Sequence, residues 1–320
     1  MNTLPSKTQR RIRTETVNCL VCGSNMSEVS LKGLKDFEYG VSGVYQLRRC
    51  TICEQVFLSP RPVEEDLLLC YPTDYHGYHT SDFSSIYGVL TSWQMKRRFM
   101  HYRRLLGDQP ANILDVGCGD GSVLKAILRH CPKWQTFGVE FKPEIAQIGR
   151  TEGLVIFTGT LEDCDFPENY FDLLIMNHLI EHLSDPLRTV RKACALLKPG
   201  GHIVGEVPNY DSIDRRISGK WWGGHHAPRH LFQFTPKTIT SLFERAGLQT
   251  VKISPEMHTG HWALSFQNFF QSHGIAVKLR NGRAFYYPLL LILCALFNLL
   301  QFPWNKTGIM SFIARRPMNS

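Results

Sequence analysis

The chain is 320 residues long, 43% hydrophobic and 20% charged, enough to bury a full core with room for one large domain and an appendage. Its formal charge of +8 favours anionic surroundings, whether nucleic acid, a membrane face or an acidic substrate, without choosing among them. Ten cysteines would suit a secreted disulfide scaffold. The length, two Cys-x-x-Cys pairs and a basic start with no apolar run argue instead for metal binding in a reducing compartment, without a secretory signal.

Residues 1–16 read as a flexible basic tail. Residues 17–60 carry Cys19-Leu-Val-Cys22-Gly and Cys50-Thr-Ile-Cys53, separated by a strand-like, turn-rich stretch. Two such knuckles supply four thiolates at the spacing of a zinc ribbon, and closed tetrahedral sites of this kind serve folding and not chemistry. Residues 61–108 read as a helical linker: a short helix over Val63–Cys70, an aromatic loop over Tyr71–His76, and a longer helix over Ser84–Leu106. In that longer helix Ile86, Leu90, Trp93, Phe99, Tyr102 and Leu106 recur at near-helical spacing, and Lys96, Arg97, Arg98, Arg103 and Arg104 form a basic outer face.

From residue 109 to 320, strand and helix patterns alternate, which predicts a doubly wound α/β sheet. Asn112–Leu124 reads as a buried strand, a turn with Gly117, Gly119 and Gly121 at every second position, and a helix. Glycines there let a ligand approach the backbone, and the helix start points free N–H groups at the same place. The third glycine falls one position too early for a dinucleotide fingerprint, and no Gly-Lys-Ser/Thr of a phosphate loop is present. An acid at the strand end, Asp115, suits a ligand carrying an amine and a sulfonium better than a pyrophosphate. A second strand, Thr136–Glu140, ends in an acid about 20 residues after the turn, where such folds place a carboxylate on ribose hydroxyls.

A helix from Pro143, a third strand at Val155–Gly159, a fourth at Phe171–Asn177 and a fifth at His202–Val207 follow. The fourth is apolar after Asp172, as a strand covered on both faces should be. The Asp-x-Gly-x-Gly-x-Gly stretch resembles motif I of the class I S-adenosylmethionine (SAM) methyltransferases, and the Leu-Lys-Pro-Gly-Gly before the fifth strand is common in them. The resemblance runs from Asn112 to Val207. It implies a seven-stranded Rossmann-like sheet, with SAM held by Asp115, Gly117, Cys118, Gly119, Gly121, Glu140, Phe141, Leu161, Glu162, Asn177 and His178.

His178-Leu-Ile-Glu181-His182 follows the fourth strand. An inverted zinc-protease motif would need a long helix, whereas here the motif opens a helix at the mouth of the sheet. Some SAM methyltransferases place Glu-x-x-Glu-His here to hold a divalent ion; with His178 at the first position, both a metal and a purely orienting role for Glu181 and His182 stay open. A second cluster, Trp221 to Phe232, lies in an insertion at about 209–234 that should overhang the ligand end of the sheet. Its Pro-Arg-His-Leu tail recurs in a bacterial subgroup of these enzymes that also has N-terminal Cys-x-x-Cys pairs. An imidazole near neutrality can take a hydroxyl proton, so His230 and His226, with His178 third, are the candidate catalytic residues.

A second insertion spans about 257–306. From Ala284 to Asn305 no residue is charged, and Tyr286, Tyr287 and Trp304 with Arg283 and Lys306 bracket the run as at membrane interfaces. Pro288, Asn298, Gln301 and Pro303 leave it short of a span, and spanning would strand the last strand, Gly308–Arg315. A lipid-facing helix, a buried one and a homodimer contact all remain open.

The expectation is therefore a cytoplasmic methyltransferase, peripheral at the inner face of a membrane, using SAM and a structural zinc ion. The acceptor would be a small molecule, glycan or lipid-linked intermediate, methylated on oxygen with a histidine base. Sugar C-methylation is the nearest alternative, then RNA methylation, then a non-catalytic SAM-fold subunit. Nucleic acid is disfavoured because no continuous basic and aromatic surface pattern is present and the fourth strand lacks the Asn/Asp-Pro-Pro-Tyr/Phe of base methylation.

Overall fold

The computed structural model describes residues 12–71, 97–275, 279 and 281–318. Most of the expected basic tail, most of the aromatic loop and the first part of the linker helix lie outside the described residues.

In chain order, short strands β1 (Thr14–Glu15), β2 (Ser27–Leu34), β3 (Tyr45–Cys50), β4 (Val56–Leu58) and β5 (Arg61–Pro62) precede α1 (Glu64–Leu67) and a helix over residues 97–106, α2. The alternating region then supplies β6 (Asn112–Val116), α3 (Ser122–His130), β7 (Gln135–Glu140), α4 (Pro143–Thr151), β8 (Val155–Thr158), β9 (Phe171–Asn177), α5 (Pro186–Leu196) and β10 (Leu197–Pro208). After it come α6 (Ile213–Ser218), β11 (Phe232–Gln233), α7 (Pro236–Arg245), β12 (Gln249–Glu256), α8 (Gly260–Ser272), α9 (Tyr287–Gln301) and β13 (Ile309–Arg315).

Seven strands form one sheet in the order β12-β13-β10-β9-β6-β7-β8. The five from β10 to β8 run parallel, and β13 lies antiparallel to both β10 and β12. Parallel neighbours need crossovers, and the helices that provide them cover both faces; this is why Leu173, Leu174, Ile175 and Met176 on β9 are all fully buried. The helices start where their caps dictate. Asp185 accepts the Arg188 N–H ahead of Pro186, and Thr235 exchanges hydrogen bonds with Thr238 around Pro236. The chain therefore reverses sharply at each strand end and leaves the carboxyl ends of β6, β7, β9 and β10 along one edge.

The cysteine ribbon is built into this body. Its sheet has the order β11-β4-β3-β2, so its edge strand comes from the insertion after β10, with Phe232 opposite Phe57. Phe57, Leu58 and Leu47 share one apolar cluster with Leu174, Phe234 and Phe312 of the large domain. Thr14 and Glu15, expected within the flexible tail, instead form a strand paired with β5, Thr14 opposite Pro62.

Helices α8 and α9 pack on each other through Trp262, Ala263 and Cys294. Tyr287–Trp304 is the one helix among the described residues long and apolar enough to cross a membrane by length and composition. It is only 22% buried, which removes the expectation of a buried core helix. Its polarity is inverted. Cys294, Asn298 and Gln301 face the protein, while Leu289, Ile292, Leu293, Leu296, Leu299 and Leu300 are exposed. Because α9 packs on α8 before it and leads into β13, which lies between β12 and β10, it lies along the protein instead of leaving it.

Candidate functional site

The turn after β6 is clamped from three directions. Gly117 and Cys118 both donate to the Val139 carbonyl at 2.8 and 3.0 Å, which ties the turn to β7. Gly117 and Gly121 have φ of +76° and +78°. A Cβ on Gly117 would meet Leu179 at 3.1 Å and one on Gly121 would meet Leu154 at 2.2 Å, so backbone conformation and space both require glycine.

Two acids border it. Glu140 accepts from the Gly119 N–H at 3.0 Å and the Lys142 N–H at 2.9 Å. Burial raises its carboxyl above the usual range, and these backbone donors oppose the shift. Asp115 is 3% exposed. Burial pushes its carboxyl up to about 7, the positive charge of Arg98 opposes, and Glu140 adds to the rise. An acid so placed favours a cationic ligand, because only a nearby positive charge restores its ordinary ionisation. Cys118 is buried, with its thiol raised by burial and its sulfur filling the space a Cβ on Gly138 would need. Phe141 is 48% exposed and forms a rim, whereas Leu161 is buried. Glu162 accepts from Thr189 Oγ1 at 2.6 Å, so it is engaged with α5.

On the other side of the turn, β9 ends in Asn177, followed by His178, which takes a φ of +49°. The His178 side chain is 42% exposed. Its Nδ1 is 3.7 Å from Glu181 Oε1 and its Nε2 is 3.6 Å from Glu206 Oε2. Burial would lower its pKa, but the two carboxylates prevail and raise it to about 9. Glu206, at the end of β10, is held well below the carboxylate range by Arg98 and then His178 despite its burial. Arg98 reaches it from α2, Nε to Oε1 at 2.9 Å. The expected basic outer face of the linker helix is thus corrected at Arg98, which turns inward.

The expected helix at the Glu181-His182 motif is also corrected. Ile180–His182 is a single 3-10 turn, and the helix begins at Pro186, because Asp185 supplies the cap there. His230, expected as a base, is 5% exposed, donates Nδ1–H to the Gly224 carbonyl at 2.9 Å, and has its pKa driven well down by burial and then by His182 and His226. His226 pairs with buried Glu38 of the ribbon at 2.5 Å. Burial pushes Glu38 up, but His226, Arg283 and Arg229 together hold it well below the carboxylate range. Fully buried Arg229 grips Asp36 through both terminal nitrogens at 2.7 and 3.1 Å. Ribbon residues 36–38 therefore bind both insertions to the body. Of the three candidate histidines, His178 alone is accessible beside the glycine turn; His226 and His230 are built into the cap.

The four ribbon cysteines bring their sulfurs within 4.8 Å of one another, with Cys19–Cys53 and Cys22–Cys50 at 3.5 Å and no disulfide. Zinc–sulfur bonds of 2.3 Å at tetrahedral angles put sulfurs roughly 3.8 Å apart, so the set fits a zinc ion. Left-handed Gly23 and Glu54 turn the two knuckles.

Sequence reasoning missed Glu206 and Arg98. Glu206 carried the signal that exposed Asp115 and Glu140: an acid at the carboxyl end of an apolar parallel strand. Arg98 carried none, since its neighbours in sequence are also cationic.

A family model described as a methyltransferase domain matches residues 93–253. A methyltransferase of Schizosaccharomyces pombe, described as uncharacterized, is 24% identical over 145 residues, covering 41% of this chain and 52% of that protein. The ubiquinone biosynthesis O-methyltransferase of Vibrio vulnificus is 31% identical over 113 residues, 33% of this chain and 45% of that one. The chain spans about half the length of these curated relatives. A crystal structure of a Galdieria sulphuraria protein described as a sarcosine dimethylglycine methyltransferase superposes with a TM-score of 0.52 at 14% identity, covering 72% of this chain and 88% of that chain, a likeness of fold.

Proposed function

The chain belongs to the methyltransferase-domain family, as a class I SAM-dependent methyltransferase, and on that premise we propose that it methylates a hydroxyl group of a lipid-soluble or lipid-linked small molecule. Bound SAM supplies an electrophilic sulfonium methyl. Asp115 would hold its ammonium group, Glu140 its ribose hydroxyls, the backbone of Gly117 and Gly119 its approach, and Phe141 the edge of its adenine.

The observation that carries the reading is His178 between Glu181 and Glu206, one residue beyond β9 and beside the glycine turn. In its neutral form the ring takes the acceptor hydroxyl proton, and the resulting imidazolium rests between two carboxylates. A base with a pKa near 9 matches a phenolic hydroxyl, whose pKa is about 10 for tyrosine, better than an ordinary histidine does. Holding acceptor and methyl donor in line supplies much of the remaining rate.

The lipid character of the acceptor is supported by α9, whose exposed leucines form an apolar face with Phe285 and Trp304 at its ends. Soluble proteins rarely leave so large a patch uncovered. An interfacial helix with Arg283 and Lys306 at its margins would lie on an anionic bilayer and bring the site to a membrane-dissolved acceptor. The Vibrio relative named for O-methylation in ubiquinone biosynthesis supports the same class. In this reading the four ribbon cysteines hold a structural zinc ion, and the protein works at the inner face of a membrane.

Calorimetric titration of SAM into the zinc-loaded protein, with Gly119→Arg as control, tests the cofactor. Binding in the wild type and its loss in the variant is expected; no binding to folded wild type refutes an enzyme. Flotation with anionic vesicles tests the membrane face: wild type should float and Leu293→Asp/Leu296→Asp should not. Product analysis with phenolic and polyprenyl acceptors then separates O- from C-methylation, and turnover on RNA alone would overturn the lipid reading.

A further inference from the structure

We propose that His258, in the turn between β12 and α8, orients the methyl acceptor by donating its Nε2–H to a second oxygen of that molecule, while the hydroxyl to be methylated faces His178. The role rests on the hydroxyl-methylation reading above and narrows its acceptor class to phenols that carry another, uncharged oxygen.

Strand register brings His258 to the site. β13 runs antiparallel to both β10 and β12, so β12 runs in the direction of β10 and ends at the same edge of the sheet. Ser311 lies opposite Glu206 on one side and Ser254 on the other. His258 follows two residues beyond the end of β12 at Glu256, as His178 follows one residue beyond β9. Two neighbouring arginines of α2 tie these ends down, Arg98 at Glu206 and Arg97 at Glu256, the latter at 2.7 Å. Both imidazoles are exposed. Two strand spacings, roughly 10 Å, separate β12 from β10, whose Glu206 lies beside His178. A benzene ring with an oxygen at each end, hydrogen-bonded at about 2.8 Å on both sides, covers such a span.

The tautomer of His258 is fixed. Its Nδ1 accepts from the Gly260 N–H at 3.2 Å. A backbone N–H only donates, so Nδ1 carries the lone pair and the neutral ring has its proton on Nε2. Gly260 is required here, since a Cβ on it would meet His258 Cε1 at 2.4 Å. Among the described residues, Nε2 has no hydrogen-bond partner. Desolvation and the positive charge of His178 lower the His258 pKa to about 4, with Glu206 opposing and Arg98 and Arg283 adding to the fall. Near neutrality the ring is therefore uncharged with Nδ1 occupied, a poor base and a ready donor. Proton removal is left to His178.

Tyr287 connects this turn to the apolar helix. Its hydroxyl donates to the Gly260 carbonyl at 3.4 Å, so the first turn of α9 adjoins the His258 turn. An acceptor arriving along α9 enters beside His258.

The test gives the full, zinc-loaded chain SAM with either a para-acylphenol or the para-alkylphenol of the same shape, which lacks the second oxygen. Asparagine places its polar group where Nδ1 stands, and glutamine where Nε2 stands. His258→Asn should keep the bond to Gly260 yet lower the wild-type preference for the acylphenol, as a ratio of kcat/KM, by about tenfold, the worth of one hydrogen bond. His258→Gln should recover most of that preference. Equal preference in wild type and His258→Asn overturns the proposal, and recovery by asparagine but not glutamine assigns His258 to capping α8 alone. A moved pH limb near 9 in His258→Gln also contradicts it, because His258 would then be the base. Where neither phenol is methylated, ring-nitrogen NMR decides. Millimolar acylphenol should shift the His258 Nε2–H resonance and the alkylphenol should not; a resonance shifted by neither, or a ring protonated at neutral pH, ends the proposal. SAM affinity of the same samples separates the two failures. Folded protein that binds no SAM refutes the methyltransferase reading, whereas intact SAM binding with an unmoved preference refutes only the role of His258.

Discussion

Replacing Asp115 by Asn should stabilise the ligand-free protein at alkaline pH and weaken SAM binding. The carboxyl is raised to about 7, chiefly by burial, and its ordinary value is 3.8. At 1.36 kcal/mol per pH unit, the ionised form costs about 4 kcal/mol in the folded state. The sign follows from linkage. A carboxyl with a raised folded pKa binds more protons folded than unfolded between pH 3.8 and 7, so stability falls as pH rises through that window and is level above it. The cost is about 2 kcal/mol at pH 5 and about 4 kcal/mol at pH 8. Asparagine removes this pH dependence while adding a roughly constant penalty for its buried amide hydrogens. The stability of Asp115→Asn relative to wild type should therefore improve by about 2 kcal/mol between pH 5 and pH 8 in urea denaturation. If the ionised carboxylate holds the ammonium of SAM, wild-type affinity should also rise by about 50-fold from pH 5 to pH 7, and the variant should lose that dependence. A stability gap that stays constant with pH would refute the titration argument, and unchanged affinity in the variant would remove Asp115 from the cofactor site.

Methylation by the wild type should rise with pH to about 9, the value to which Glu181 and Glu206 bring His178. Glu206→Gln should move that limb to lower pH, and His178→Gln should lower kcat by about 100-fold or more with little change in SAM affinity; an unmoved profile would exclude His178 as the base. Arg229→Met leaves Asp36 and Glu38 buried without their shared cation and should cost about 3–5 kcal/mol in chemical denaturation. Adding Asp36→Asn should return part of that loss, and a cost below about 1 kcal/mol would show that the ribbon and the insertions are not held together there. Cys50→Ser, or chelation strong enough to strip the ribbon, should lower the melting temperature of the whole chain in one transition, since Phe57 and Leu58 belong to the common core. Two separate transitions would show an independent ribbon.

The cap shows how the parts depend on one another. Fully buried Arg229 lies 193 residues from Asp36, yet the two form a bidentate ion pair. An unfolded ribbon would take the carboxylates of Asp36 and Glu38 away from Arg229, His226 and Arg283. Loss of the four-cysteine knuckles would then disturb the elements that frame the glycine turn and His178.

Local chemistry was legible in the residues alone. Asp115 and the three glycines announced a strand, a tight turn and a helix, because only that conformation needs glycine at alternate positions. Glu140 was legible from its distance along the chain, the Cys-x-x-Cys pairs from ligand spacing, and the strand sequence from alternation of apolar runs with capped helices. These features depend on neighbours within about 20 residues, the range over which backbone propensity and periodicity act. What only the tertiary structure decided is pairing across long separations. Phe232 completing the ribbon's sheet, Arg98 turning to Glu206, His178 resting between two carboxylates and α9 showing its leucines outward leave no periodic trace. Each was settled when packing chose which edges and charges would meet, and a charge buried by that choice had to find its counter-charge wherever the fold brought one.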